Sequence, residues 1–170
     1  ALDAATPLLH GELVDGTSVT GGEPLLQADF VAALLADPRL PRPRLLETSG
    51  TMPEALRTVQ AEVEIVSMDI KLPSNSGERA FWDQHARFLA LAGDKAYVKV
   101  LVDATTDADE VTRAAALVAD RAALFLQPIT TTDGRVAASA ADLDRFFSAA
   151  RRHAGNLRVL PQTHKMLAIH

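Results

Sequence analysis

Along this chain, short extended apolar runs alternate with longer runs of helical spacing. The extended runs are Thr17–Thr20, Arg44–Glu47, Val63–Ile70, Ala96–Asp103, Ala123–Gln127 and Leu157–Leu160. Val63–Ile70 (VEIVSMDI) is rich in β-branched residues, which pack well on a pleated surface, and Ala96–Asp103 (AYVKVLVD) is the clearest strand. Between the strands, apolar residues recur at helical intervals. Phe30, Val31, Leu34 and Leu35 mark a helix over Ala28–Ala36, stopped by Asp37-Pro38 and by prolines 41 and 43. Further helices are predicted over Pro53–Val59, with its proline tolerated at the start, and over about Glu78–Ala92. The next covers Asp107–Ala119, with Thr106 or Asp107 as cap, and the last Ala141–His153, with Gly155-Asn156 beyond its end. The intervening LPSNSG reads as a loop. Strand and helix alternate every roughly 20–35 residues, the rhythm of βαβ units, which predicts an α/β fold with parallel strands. The expectation is one domain over residues 1–170, with 1–16 an irregular lead-in broken by Pro7, Gly11 and the Asp15-Gly16 turn signal.

Composition narrows the function classes. The 170 residues are 48% hydrophobic and 23% charged, enough for a packed core and unlike a disordered tail. A net charge of −5 without a basic stripe speaks against nucleic acid as a partner. No apolar run approaches the roughly 18 residues that cross a membrane, and residues 1–16 carry no basic leader pattern, so a cytoplasmic protein is expected. Cysteine is absent, which excludes disulfides and thiolate metal sites within this sequence.

The unusual polar residues fall where the predicted strands end. Thr20-Gly21-Gly22-Glu23 follows the first, Glu47 and Ser49 the second, and Asp69 and Lys71 lie at the third. Gln127 ends the fifth, and Gln162 and His164 follow the sixth. In parallel α/β folds, ligands gather at the carboxyl ends of strands. Both charge signs on one crowded face suit a zwitterionic small molecule. Two adjacent glycines let backbone approach a ligand closely, and Glu23 adds a carboxylate suited to an amine. Taken singly, each has a bland reading: a tight turn at Gly21-Gly22, a cap at Glu47, a surface ion pair between Asp69 and Lys71, a structural histidine at 164. His10, His85, His153 and His170 read as solvent-facing, and Phe81, Trp82, Phe88, Phe146 and Phe147 as core.

TGGEPLLQ, LLETSGT, VSMDIKLPS, YVKVLV, FLQP and RVLPQTHKML together resemble the radical S-adenosylmethionine enzymes. Within them, MDIKLPS with LPQTHK resembles the 7-carboxy-7-deazaguanine synthases, and the likeness runs from Thr17 to Leu167. The resemblance implies a (β/α)6 TIM-like barrel. It implies S-adenosyl-L-methionine held by Gly21, Gly22, Glu23, Glu47, Ser49, Ser67, Asp69, Lys71 and Gln127, with the methionine amine at the Gly-Gly-Glu loop. Thr20, Gln162 and His164 would face the pterin-derived substrate. The implied reaction is a lyase step of 7-deazapurine (queuosine) biosynthesis. In it, a [4Fe-4S] cluster cleaves the cofactor to a radical, and 6-carboxy-5,6,7,8-tetrahydropterin contracts to 7-carboxy-7-deazaguanine. A magnesium ion, a reductant such as flavodoxin and a homodimer are also among the family's implications.

One departure is large. The family binds its cluster through three cysteines spaced CxxxCxxC after the first barrel strand, beside a threonine that accompanies magnesium. This sequence has no cysteine. The 16 residues before the TGGEP strand are too few for that strand, its loop and the following helix. The expectation is therefore a partial barrel without first strand and cluster loop, inactive alone and poorly stable at its open edge. It would be a fragment, a truncated gene product or a degenerate paralogue. The alternatives are a cluster-free protein that binds S-adenosylmethionine or a pterin, and an unrelated α/β domain whose strand-end acids are structural.

Overall fold

The structure, a computed structural model, describes residues 14–166. Most of the predicted lead-in, together with His10 and His170, lies outside them.

Six strands form one all-parallel sheet in chain order: β1 (Thr17–Val19), β2 (Arg44–Thr48), β3 (Ile65–Ile70), β4 (Ala96–Val102), β5 (Ala123–Pro128) and β6 (Leu157–Val159). Every neighbouring pair is parallel. Helices return the chain between strands: α1 (Ala28–Leu35), α2 (Pro53–Val59), α3 (Pro73–Ser76), α4 (Trp82–Ala92), α5 (Ala108–Val118) and α6 (Ala140–Arg151). A last turn, α7, covers Thr163–Met166. The result is the expected partial TIM-like barrel.

Two faces follow from the period of two along each strand. Leu46, Val66, Met68, Ile70, Val98, Val100, Val102, Leu124 and Leu126 are all 0–1% exposed and form the helix-side layer. Leu56, Val59, Phe88, Val111, Val118 and Phe146 share this core from the helices. The alternate positions line the other, inner face. Register carries Glu47 opposite Ser67 and Tyr97, and Asp69 opposite Lys99 and Phe125. The inner face is thus polar toward the carboxyl ends and apolar behind them.

Boundaries moved where caps decide them. LPSNSG is not all loop: Pro73 opens α3 and Gly77, at φ 69°, closes it. The long helix accordingly starts at Trp82 rather than near Glu78. The α5 cap is Asp107, whose side chain accepts from Asp109 N. Ser139 and Asp142 form a reciprocal capping box that starts α6 at Ala140. Phe88 and Phe146 are fully buried, and Trp82 and Phe147 pack at the core's margin. Among the described residues, no helix is long and apolar enough to cross a membrane.

Candidate functional site

A cleft of about 520 Å³ opens over the carboxyl ends of the strands. Nine of the twelve positions singled out in the sequence line it: Thr20, Gly21, Gly22, Glu47, Ser49, Asp69, Lys71, Gln127 and Gln162. They come from β1 through the segment after β6, so the strand-end residues converge rather than scatter.

The Gly-Gly loop is conformational in origin. Gly21 and Gly22 sit at φ 94° and 56°, in the left-handed region that favours glycine. A Cβ at either would meet nothing within 4 Å, so the flank facing the cleft is open. Glu23 turns away from that opening. Its Oε1 accepts from Leu25 N at 3.1 Å and Thr48 Oγ1 at 2.8 Å. Its Oε2 accepts from Ser49 N at 2.8 Å and Ser49 Oγ at 2.6 Å. Two oxygens with four donors leave the carboxylate fully engaged within the chain. Glu23 caps the turn Pro24–Gln27 and staples it to the end of β2. Beside it, a smaller cavity of about 180 Å³ is lined by Gly22, Glu23, Ser49, Lys71, Phe81 and His85 among others.

His85 is a correction. It is 2% exposed, not solvent-facing, and its Nε2 donates to the Ser49 carbonyl at 3.0 Å. Burial pushes its pKa down, with the Ser49 bond acting weakly the other way, so the imidazole is neutral. A carbonyl can only accept, which places the proton on Nε2 and leaves Nδ1 buried without a partner. His153, by contrast, is exposed as expected.

The floor of the cleft carries a residue that sequence reasoning passed over. Lys99, in the middle of β4, is 8% exposed. Its ammonium donates to Glu47 Oε1 and lies 3.0 Å from Asp69 Oδ1. The second contact is close but not aligned as a hydrogen bond. Burial pulls the Lys99 pKa down, but the two carboxylates together outweigh it and hold the group above its ordinary value. Burial raises the Asp69 pKa, and Lys99 offsets only part of that. Thr20 Oγ1 donates to Glu47 Oε2 at 3.1 Å, which ties the start of the Gly-Gly loop to the same group. The signal was legible: AYVKVLV places a lone lysine on the face shared by Tyr97 and Leu101, which also line the cleft.

Two expected residues, Glu23 and Ser67, do not line this cleft. Glu23 is the staple just described. Ser67 is 1% exposed, beneath the floor, with its Oγ buried and unpartnered. His164 falls in α7, and its side chain lies outside the described part. Gln162 reaches the cleft while its Oε1 accepts from Thr130 N at 2.8 Å, so half of its amide is spent on joining two loops.

The residues fit a zwitterionic ligand. Lys71 is exposed at the wall, suited to a carboxylate, and the open Gly21-Gly22 backbone suits an amine. They do not fit an iron–sulfur cluster: the sequence holds no cysteine, and among the described residues no three His, Asp or Glu converge to hold a metal ion.

No family model matches the chain. It is 37% identical over 157 residues to the 7-carboxy-7-deazaguanine synthase of Geobacter sulfurreducens, covering 90% of this chain and 63% of that one. It is 32% identical over 165 residues to the protein of the same name from Thermococcus kodakarensis, covering 92% and 64%. The chain therefore spans just under two thirds of these relatives' length. Among solved structures, a radical SAM methyltransferase from Sphaerobacter thermophilus matches 99% of this chain and 57% of its own, with a TM-score of 0.66 at 16% identity. That likeness is one of fold. The sequence comparisons thus support the resemblance to the 7-carboxy-7-deazaguanine synthases, and the structural one supports the barrel-type fold.

Proposed function

We propose that this chain, similar in sequence to the 7-carboxy-7-deazaguanine synthases and in fold to a radical S-adenosylmethionine protein, supplies the ligand-binding cleft of such a synthase. The cleft takes the methionine end of S-adenosylmethionine and, next to it, 6-carboxy-5,6,7,8-tetrahydropterin. The observation that carries this reading is the convergence of nine strand-end positions on one cleft.

The geometry supports these roles. The cofactor's ammonium lies against the Gly21-Gly22 backbone, not against Glu23, whose lone pairs are taken. Lys71 receives the cofactor carboxylate as a point charge. Glu47, Ser49, Asp69 and Gln127 line the space for its remaining polar groups. Thr20 and the free half of the Gln162 amide, with His164, meet the donor and acceptor edge of the pterin. In the synthases, the cofactor supplies a carbon radical, and this chain's part is to orient two ligands and exclude water. The sequence holds no cysteine to bind a cluster, so radical cleavage is not assigned to this chain alone. We read it as one domain acting in the cytoplasm. The second reading, a cluster-free binding protein for the same ligands, is favoured by the absent cysteines and uses the same cleft.

Titration of the chain into 6-carboxypterin, followed by pterin fluorescence, tests the substrate half. Saturable one-to-one quenching, weakened about tenfold by Gln162→Glu, which keeps the acceptor to Thr130, and unchanged by Glu54→Ala, exposed on α2 outside the cleft lining, is expected. Absence of saturable quenching removes the pterin from the proposal.

A further inference from the structure

A lysine at the centre of a sheet is costly. Taken alone, a buried ammonium sheds its proton rather than stay charged. Lys99 stays charged because two carboxylates from two other strands meet it: Glu47 from β2 and Asp69 from β3. The unit brings two carboxylates to one ammonium. Without the ammonium, two carboxylates that both reach the Lys99 nitrogen would repel each other and favour protonation of one. The arrangement also reaches the Gly-Gly loop. Lys99 holds one oxygen of Glu47, and the other oxygen holds Thr20, the residue before Gly21.

We propose that Lys99 is a positioning residue: its ammonium fixes Glu47 and Asp69 as an ionised pair, and through the Glu47–Thr20 hydrogen bond it sets the Gly21-Gly22 loop over the cleft. Lys99 acts through its neighbours and touches neither ligand in this account. Among the described residues, Lys71, from the segment after β3, and Tyr97, on the same strand as Lys99, line the same cleft. Lys71 is exposed and stands on the cleft wall, apart from the buried floor position that Lys99 occupies. Only the ligand-affinity arm of the test rests on the function proposed above.

The decisive experiment needs no ligand. Carboxyl carbon NMR of Glu47 and Asp69 is followed against pH in the wild type and in Lys99→Met. The variant should show at least one of the two carboxyls titrating a full pH unit or more higher, and shifted amide signals from Thr20 to Gly22. Lys99→Gln, which keeps a donor, should restore the loop signals but not the carboxyl titration. It also serves if the Met variant fails to fold. In the wild type, the Lys99 ammonium protons should be visible and slow to exchange near pH 6, a reading that needs no variant. Unchanged carboxyl titrations with unmoved loop amides, or a freely exchanging ammonium, overturn the proposal. In the affinity arm, Lys99→Met should weaken S-adenosylmethionine binding about tenfold. A wild type that binds no ligand contradicts the proposed function, while the carboxyl titration still decides the role of Lys99.

Discussion

Replacing Glu23 with glutamine changes one oxygen to an amide nitrogen and asks whether this residue braces the chain or meets the ligand. The carboxylate accepts four hydrogen bonds, from Leu25 N, Thr48 Oγ1, Ser49 N and Ser49 Oγ. The glutamine oxygen can keep two of them. Its NH2 then confronts the other two donors, which must turn away or find water. Hydrogen bonds to a charged acceptor contribute about 1.5–3 kcal/mol each. Glu23 is half-buried, so the low end applies, and two lost bonds cost about 3 kcal/mol. For a chain of this size, that lowers the melting temperature by about 6–12 °C. Urea unfolding followed by circular dichroism measures the cost, with an unchanged slope showing that the same surface is exposed in both proteins. Glu54→Gln is the control: it removes only exposed contacts to Arg57 and Arg87 and should cost less than about 0.5 kcal/mol. If Glu23→Gln is as mild as the control while ligand binding collapses, the carboxylate belongs to the ligand and the staple argument fails.

Two further predictions rest on other parts of the site. Gly50 sits at φ 68°, and an added Cβ would come 2.4 Å from Met68 Cγ and 2.6 Å from its Sδ. Gly50→Ala therefore combines left-handed strain with overpacking, about 2–4 kcal/mol by urea unfolding, and an effect below about 0.5 kcal/mol would refute it. The pH dependence of Lys99 has a definite sign. Its folded pKa is raised above 10.5, so its contribution is complete below that value and is lost as pH rises through the folded one. The stability gap between wild type and Lys99→Met should hold steady from about pH 8 to about pH 10 and narrow above it. A gap that narrows within that window would contradict the assignment.

Much of the architecture was legible because it rests on local pattern. Six runs of strand character separated by helical runs point to a parallel sheet, while the strand order came from the family resemblance. The polar strand ends were legible for the same reason, since topology puts carboxyl ends on one side. What the sequence hid depends on contacts between distant segments. Glu23 is adjacent to two glycines, which suggested a ligand contact, but its orientation is set by Thr48 and Ser49, some 25 positions away. His85 lies on α4, where an exposed histidine is ordinary; only the packing of that helix on the Ser49–Gly50 turn buries it. Lys99 was visible as a charge inside an apolar strand, yet its meaning required the register that sets Asp69 opposite it. Gln162 was found, but half of its amide serves Thr130.

The central claim is that these strand ends form one site for the amino-acid end of S-adenosylmethionine. Calorimetric titration of the chain with S-adenosylmethionine tests it most directly. One saturable site, lost in Lys71→Ala and in Gly22→Val while both variants melt cooperatively, is the predicted result. A wild type that shows no heat and no binding under the same conditions contradicts the claim.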